Sequence, residues 1–466
     1  MTFKEKTERK AVSSGVKKLI SYVKKDPDKN LPKLVSFAEK FVGNIFPAEN
    51  FEKMRKGISD ENNIWRRLAL SVINEVDEDV IVKMVLAFGL GAGVHGTKAV
   101  RENREKLGCN IPWLILMDPT SACNKKCKGC WSAEYGHLQS LSLEEMDGIV
   151  CQGKELGTHL YMFTGGEPLI KKKEIITLCR NHPDCVFLAF TNSTLLDEQF
   201  CLEMKEVGNF TPMLSIEGTE HSNDSRRGEG SYGETLKAMK LLKKHRLFFG
   251  ISVCYTNENI DEVTSPEFID LMIENGAKIG MYFCYMPVGK DALPELIPTP
   301  ENRKRMYGWL REMRNSHEGK PMFVFDFQDD GEYVGGCIAG GRRYFHINSA
   351  GDMEPCVFIH YSDSNIRNTT IAQALKNPLF TEFYKNQPFN DNHLRPCPML
   401  ENPDMLRKII ASTGAKSTDL ISPEDVETLC AKCDKFASEW EKPAEELWNS
   451  TKHPNPKTQY YRDSKK

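Results

Sequence analysis

The segment Cys123-Asn-Lys-Lys-Cys127-Lys-Gly-Cys130 places three cysteines at x3 and x2 spacing on one short loop. Thiolate is the preferred ligand of iron–sulfur clusters, so such a loop can hold three irons of a 4Fe–4S cube. The fourth iron then has no protein ligand and can take a small chelating molecule. A structural zinc wants four protein ligands, and this loop offers three unless His137 completes the set. Thr164-Gly165-Gly166-Glu167-Pro168 adds two glycines that admit close backbone approach and a carboxylate that accepts hydrogen bonds. Alone it reads equally well as a chain reversal. Thr191-Asn192-Ser193-Thr194 and Ser215-Ile216-Glu217-Gly218 are two more small polar clusters, each weak alone.

Five further cysteines, Cys337, Cys356, Cys397, Cys430 and Cys433, fall in the C-terminal third. Four of them can hold a second cluster, or a zinc in a four-cysteine knuckle. The others, Cys109, Cys151, Cys179, Cys185, Cys201, Cys254 and Cys284, sit singly in apolar or helical contexts and read as packing residues. His346 and His360 read as structural, Arg342-Arg343 as a turn, and Asp326, Asp329, Asp330 and Glu332 as a solvated acidic loop.

The elements that must position these groups follow from periodicity. Short apolar runs at 113–117, 160–163, 186–190, 212–216, 250–255 and 278–285 alternate with helical patterns near 142–157, 172–182, 197–207, 231–246 and 265–276. Such alternation predicts a parallel sheet with outer helices, open or curled into a partial barrel. Functional loops then sit at the carboxyl ends of the strands, which is where the first four motifs fall. Residues 1–105 read as helical, with Leu34, Phe37, Phe41 and Ile45 at helical spacing. Segment 80–96 is the most apolar stretch and reads as a buried or subunit-packing helix, too short to span a bilayer, with a lipid-facing or substrate-facing surface as the alternative. After about residue 300 the alternation ends in a loop-rich region. Within it Tyr344–Cys356 reads as a hairpin turning at Ser349-Ala350-Gly351-Asp352. The chain divides into a helical region 1–105, a core 106–320, a cysteine-bearing region 321–450 and a polar tail 451–466.

Over residues 110–290 the chain resembles the radical S-adenosylmethionine (radical SAM) enzymes. The resemblance implies an α/β fold, a partial (β/α)6 barrel, and a 4Fe–4S cluster on Cys123, Cys127 and Cys130 whose open iron is chelated by SAM. It implies that Gly165, Gly166, Glu167 and Pro168 meet the methionine amine. Ser215 and Glu217 would meet the ribose, and Asn192 and Arg227 complete the cofactor contacts. Arg226-Arg227-Gly228 through Gly230-Ser231-Tyr232, and Met286-Pro287-Val288-Gly289, resemble further family segments. One position departs: the family carries an aromatic before the third cysteine, and here Gly129 stands there with Trp131 after the cysteine. Cys337 with Gly351-x4-Cys356 resembles the opening of a SPASM domain, a module that carries auxiliary clusters. Five cysteines in place of its seven imply one auxiliary 4Fe–4S cluster, on Cys337, Cys356, Cys430 and Cys433, with Cys397 as a substitute for one of them.

Composition limits the function classes. The chain has 466 residues, 62 Lys+Arg against 65 Asp+Glu and a net charge of -3, which argues against nucleic acid as the main partner. The charged N-terminus carries no secretory h-region and no run of about 18 apolar residues is present, so a cytoplasmic protein is expected. In a reducing compartment, 15 cysteines point to metal or redox chemistry before disulfides. The family resemblance implies reductive SAM cleavage driven by a low-potential donor such as flavodoxin or ferredoxin. The expected substrate is a peptide or protein. The alternatives are an apolar or lipid substrate with peripheral membrane contact, and a non-catalytic iron–sulfur carrier or scaffold.

Overall fold

The structure, a computed structural model, describes residues 3–42 and 48–453. Ile45 and the tail beyond residue 453 lie outside the described residues. Nine strands form one sheet: β1 (Leu114–Met117), β2 (Leu160–Phe163), β3 (Val186–Thr191), β4 (Phe210–Ser215), β5 (Gly250–Tyr255), β6 (Ile279–Cys284), β7 (Phe323–Asp326), β8 (Tyr344–Ile347) and β9 (Met353–Glu354). Their order is β7-β6-β5-β4-β3-β2-β1-β8-β9. Every pair from β7 to β8 is parallel, and β9 returns antiparallel on β8. Near-continuous apolar strands such as Leu160-Tyr-Met-Phe163 suit this arrangement, because a parallel sheet is covered on both faces.

The six expected strands are therefore present and the sheet runs on past them. The seventh, β7, continues one edge. The hairpin of β8 and β9 turns where Ser349–Asp352 predicts, and it joins the other edge by pairing Leu114 with Tyr344 and Met117 with Ile347. The C-terminal region is thus built onto the strand that leads into the three-cysteine loop. It also carries helices, the longest being Val426–Ser450.

The connecting helices have legible ends. In Leu143–Leu156, the Ser142 hydroxyl accepts from Glu145 N at 3.1 Å and the Glu145 carboxylate accepts from Ser142 N at 2.7 Å, a reciprocal cap. Gly157 closes the helix at φ 102°. All parallel strands point the same way, so the loops after β1 to β8 gather along one edge of the sheet.

The N-terminal helices pack around their own core, which includes Val16, Ile20, Val23, Leu31, Ile73, Val82 and Leu90. The apolar segment lies within one continuous helical run, Glu78–Leu107, whose middle, Val85–Gly96, is a π-helix. By length and composition this run of 30 residues could cross a membrane, so the expectation that it is too short is corrected. Its glycine face packs on the sheet domain. A Cβ on Gly91 would stand 2.2 Å from the Asp184 carbonyl, and one on Gly96 would stand 2.6 Å from that of Gly157. Ala87 packs with Leu160 and Val186, the first residues of β2 and β3. The segment therefore covers the amino ends of the strands, on the opposite edge from the three-cysteine loop. Val85 and Phe88 remain exposed there.

Candidate active site

The loop 118–140 starts directly from β1 and closes on itself. Ser121 N donates to the Gln139 carbonyl at 3.0 Å, and Gln139 N donates to the Ser121 hydroxyl at 3.0 Å. Cys123, Cys127 and Cys130 lie half-buried along it. Neighbouring loops hold it from two sides. After β3, Asn192 Nδ2 donates to Asn124 Oδ1 at 2.7 Å and approaches Cys123 Sγ at 3.9 Å. After β4, Lys128 N donates to the Arg226 carbonyl at 2.8 Å, and Lys125 Nζ reaches Ser231 and Glu234, each at 2.7 Å. Burial pushes the Cys123 thiol up to about 11, and the nearby Glu167 charge and the other two thiols add to the rise. Burial also raises Cys127, against the pull of Arg227.

The turn after β2 lies directly against this loop. Gly166 N donates to the Thr120 carbonyl at 3.0 Å and Glu167 N to that of Ala122 at 2.8 Å. A Cβ on Gly166 would stand 2.1 Å from the Ala122 oxygen, so only glycine fits. Gly165 turns at φ +97° against the Asp118 side chain. The Glu167 carboxylate is fully enclosed. It accepts from Thr191 Oγ1 at 2.7 Å, Asn192 N at 2.7 Å and Leu169 N at 3.0 Å. Burial raises it to about 7 against those three donors. Its carboxylate thus fastens the β2 and β3 turns together, while Pro168 opens the short 3-10 turn that follows.

After β4, Ser215 is buried beside β5, and the Glu217 side chain is wholly buried. Glu217 Oε1 accepts from Arg226 Nη1 at 2.6 Å and from Arg227 Nε at 2.8 Å. Its Oε2 is buried without a partner. Burial opposes the charge on Arg227, but Glu217 and the Cys127 thiol outweigh it and raise its pKa. Two guanidiniums therefore stand between an acidic side chain and the cysteine loop. Cys254, near the end of β5, also belongs here. Its thiol is pushed up to about 11 by burial, with Arg226, Glu217 and Cys130 close enough to act on it. A lone cysteine in an apolar run gave no signal of that proximity.

Gly129 sits at φ +64°, and a Cβ there would stand 2.6 Å from Tyr285 Oη. Tyr285, immediately after β6, thus fills the space beside the third cysteine. Trp131 turns away and packs edge-on against Tyr135, His346, Phe358 and His360. Behind it lies a buried polar chain. His346 contacts Asp118 at 2.9 Å with one ring nitrogen and Glu354 at 2.6 Å with the other, and Tyr135 Oη donates to Glu354 at 2.8 Å. The loop after β1 is locked in this way to the β8–β9 hairpin.

Of the five C-terminal cysteines, Cys337, Cys356 and Cys397 line one cavity with Met286, Phe327 and Gln328, which follow β6 and β7. Cys397 Sγ accepts from Met399 N and Leu400 N, each at 3.4 Å. Tyr344 Oη lies 2.8 Å from Cys356 Sγ. Cys430 and Cys433 are buried on the helix Val426–Ser450, one turn apart, and do not line this cavity. The acidic cluster is not a solvated loop. Asp326, Asp329 and Glu332 are buried, and Arg303 and Arg311 reach Asp329 and Glu332 from the helix Pro300–Met313. Arg342 braces its turn by donating to the Cys337 and Val334 carbonyls at 2.8 and 2.9 Å.

Residues 117–269 match the family described as the radical SAM superfamily. An AdoMet-dependent heme synthase of Oleidesulfovibrio alaskensis is 25% identical over 328 residues, covering 63% of this chain and 82% of the relative. The mycofactocin maturase MftC of Mycolicibacterium smegmatis is 25% identical over 266 residues, covering 54% of this chain and 66% of the relative. Among solved structures, Streptococcus suis SuiB superposes with a TM-score of 0.52 at 17% identity, over 62% of this chain and 71% of that one, a likeness of fold. The parallel α/β sheet and the matched segment together identify residues 117–269 as a radical SAM superfamily domain.

Proposed function

We propose that the chain cleaves SAM at a 4Fe–4S cluster held by Cys123, Cys127 and Cys130, and abstracts hydrogen from a peptide or protein. The observation that carries this reading is the convergence of the three-thiol loop, the Gly165–Pro168 turn and the Glu217–Arg227 pair on one sheet edge. The residues suit the cofactor. Three thiols share one loop, and the buried Glu217 Oε2 lacks a partner and can accept from a hydroxyl. When bound, the cluster and SAM supply reductive cleavage to methionine and a 5′-deoxyadenosyl radical.

The protein's own part is positioning. Glu167 ties the turns after β2 and β3, so the backbone of Gly165 and Gly166 is set before a methionine amine arrives. Arg226 and Arg227 hold Glu217 in place and supply positive charge beside the thiolates. Tyr285 fills the space beside Gly129, and we assign it the part that the family's aromatic would play toward adenine. The Trp131, Phe358 and Tyr135 wall excludes water from the far side of the loop.

Cys337, Cys356 and Cys397 are our choice of thiols for the auxiliary cluster, because they share a cavity on the same edge. Cys430 and Cys433 are then structural. A peptide or protein substrate is supported by relatives named as a mycofactocin maturase and an anaerobic sulfatase-maturating enzyme. A second reading, a tetrapyrrole, is favoured by the heme synthase that matches over a larger share of the chain. The apolar segment 80–96 does not favour a lipid substrate, because it covers the opposite edge of the sheet.

The test is anaerobic reconstitution with dithionite and SAM, followed by assay of 5′-deoxyadenosine. Deoxyadenosine formation that Cys127→Ala abolishes is the expected result. Full iron with no deoxyadenosine would leave only a carrier. A peptide panel and a porphyrin, each scored by mass change, separate the two substrates.

A further inference from the structure

Away from the three-cysteine loop, the outer helix Leu143–Leu156 carries Asp147 and Cys151 one turn apart, on one face. His182 caps the next outer helix, Lys172–Asn181, and turns its ring toward them. His182 Nε2 lies 3.0 Å from Asp147 Oδ1, and Cys151 Sγ lies 3.7 Å from Asp147 Oδ2. One ligand atom from each of the three falls within 4.8 Å of the others. We propose that Asp147, Cys151 and His182 form a binding site for a zinc-class divalent ion, distinct from both iron–sulfur positions.

The dimensions fit. Zinc bonds to nitrogen and oxygen of about 2.0–2.2 Å, and to sulfur of about 2.3 Å, set tetrahedral edges of roughly 3.4 Å between N and O and roughly 3.6 Å between S and O. The observed spacings, 3.0 and 3.7 Å, lie near those edges but run to different oxygens of Asp147, so a small rotation of that carboxylate brings all three donors onto one ion. The donor set of one thiolate, one carboxylate and one imidazole suits a borderline-soft ion, whereas magnesium and calcium take oxygen. Its two negative charges neutralise the ion. Binding releases the Cys151 thiol proton to solvent and shifts the His182 hydrogen from Nε2 to Nδ1, leaving Nε2 as the ligand atom, with no change of oxidation state.

The setting is prepared as well. His182 is buried, and its backbone is fixed, with N donating to Leu178 O at 2.9 Å and O accepting from Asn209 Nδ2 at 3.1 Å. Cys151 is exposed, so the fourth coordination position opens to water. Lys154, one turn on, does not compete, because it pairs with Asp184 at 2.8 Å. The ion would staple two consecutive outer helices of the sheet domain.

The test uses the reconstituted holoprotein with Zn²⁺ alone. Bound zinc is counted by elemental analysis after desalting, and its neighbours are read by zinc K-edge absorption. The expected result is one zinc per chain with a single sulfur neighbour. Cys151→Ser, Asp147→Asn and His182→Gln should each bind about 10-fold or more weakly, with iron content and deoxyadenosine output unchanged. Cys151 is exposed, so its variant folds even if His182→Gln does not. Wild-type zinc binding by Cys151→Ser overturns the proposal. So does zinc with several sulfur neighbours that is lost in Cys397→Ala, since that ion would occupy the auxiliary cavity.

Discussion

Replacing Gly166 by alanine should disable the site while leaving the rest of the fold in place. The added Cβ would stand 2.1 Å from the Ala122 carbonyl oxygen and 2.6 Å from that of Ser121. Both contacts are backbone, so no side chain can swing away. The turn and the cysteine loop must part by about 1 Å to restore van der Waals contact. That movement breaks two hydrogen bonds, Gly166 N to Thr120 O at 3.0 Å and Glu167 N to Ala122 O at 2.8 Å. At about 1 kcal/mol each, the local cost is about 2 kcal/mol. Cys123 follows Ala122 directly, so the first thiol moves with the loop. A misplacement of about 1 Å at a reacting centre can lower a rate about 100-fold. We therefore expect Gly166→Ala to lose about 100-fold in 5′-deoxyadenosine formation, with iron at the auxiliary site retained. Gly308→Ala is the control. Gly308 lies within the helix Pro300–Met313 with nothing within 4 Å of a new Cβ, so stability should rise by about 0.5–1 kcal/mol. Wild-type deoxyadenosine formation by Gly166→Ala would refute the close packing of turn and loop.

Three further outcomes follow from the same contacts. Glu217→Gln leaves Arg226 and Arg227 without their counter-charge, and should cost about 3 kcal/mol in urea unfolding and raise the SAM requirement; an unchanged urea midpoint and an unchanged SAM requirement refute this. Burial works against a charged His346, but Asp118 and Glu354 outweigh it and raise its pKa to about 10. Its stabilisation is complete below its unfolded value of about 6.5 and is lost as pH rises through about 10, so the urea midpoint should fall over that window and His346→Gln should flatten the fall. Cys397→Ala should lower reconstituted iron from about eight to about four per chain, whereas Cys430→Ala should leave it unchanged; the reverse pattern would move the auxiliary cluster onto the helix Val426–Ser450.

Local signals in the sequence carry much of the fold. The runs 160–163 and 250–255 match β2 and β5 to the residue, because each is a short apolar stretch bounded by turn formers. β4 begins two residues earlier than its pattern, at Phe210, since Pro212 reads as a boundary. Pro212 is tolerated inside the strand because β5 pairs only from Met213 onward. The contacts that complete the site are nonlocal. Tyr285 fills the space beside Gly129 from a loop after β6, and nothing near residue 129 announces it. Asp326, Asp329 and Glu332 look solvated by composition, yet they are buried: Arg303 and Arg311 reach Asp329 and Glu332 from upstream, and Asp326 accepts from the backbone of Gln328 and Asp329. The choice of Cys397 is equally hidden. Sequence spacing favours the Cys430-x2-Cys433 pair, while the fold brings the Cys397 loop to Cys337 and Cys356. Segment 80–96 reads correctly as a packing helix, but its π-helical course and its place at the amino ends of the strands come only from the glycine contacts with Asp184 and Gly157.

The pairing of β1 with β8 also bears on how the chain is made. Leu114 and its partner Tyr344 are 230 positions apart. At about 5–20 residues per second, a ribosome needs roughly 10–45 s to deliver the second after the first. Throughout that interval, the strand that leads into the cysteine loop has one open edge, the kind of surface on which strands of other chains add. Delivery of iron to Cys123, Cys127 and Cys130 before β8 emerges would meet a loop not yet locked through His346 and Glu354. Cluster insertion is therefore expected to follow the emergence of β8 and β9, and a fragment ending before residue 344 should aggregate when made alone.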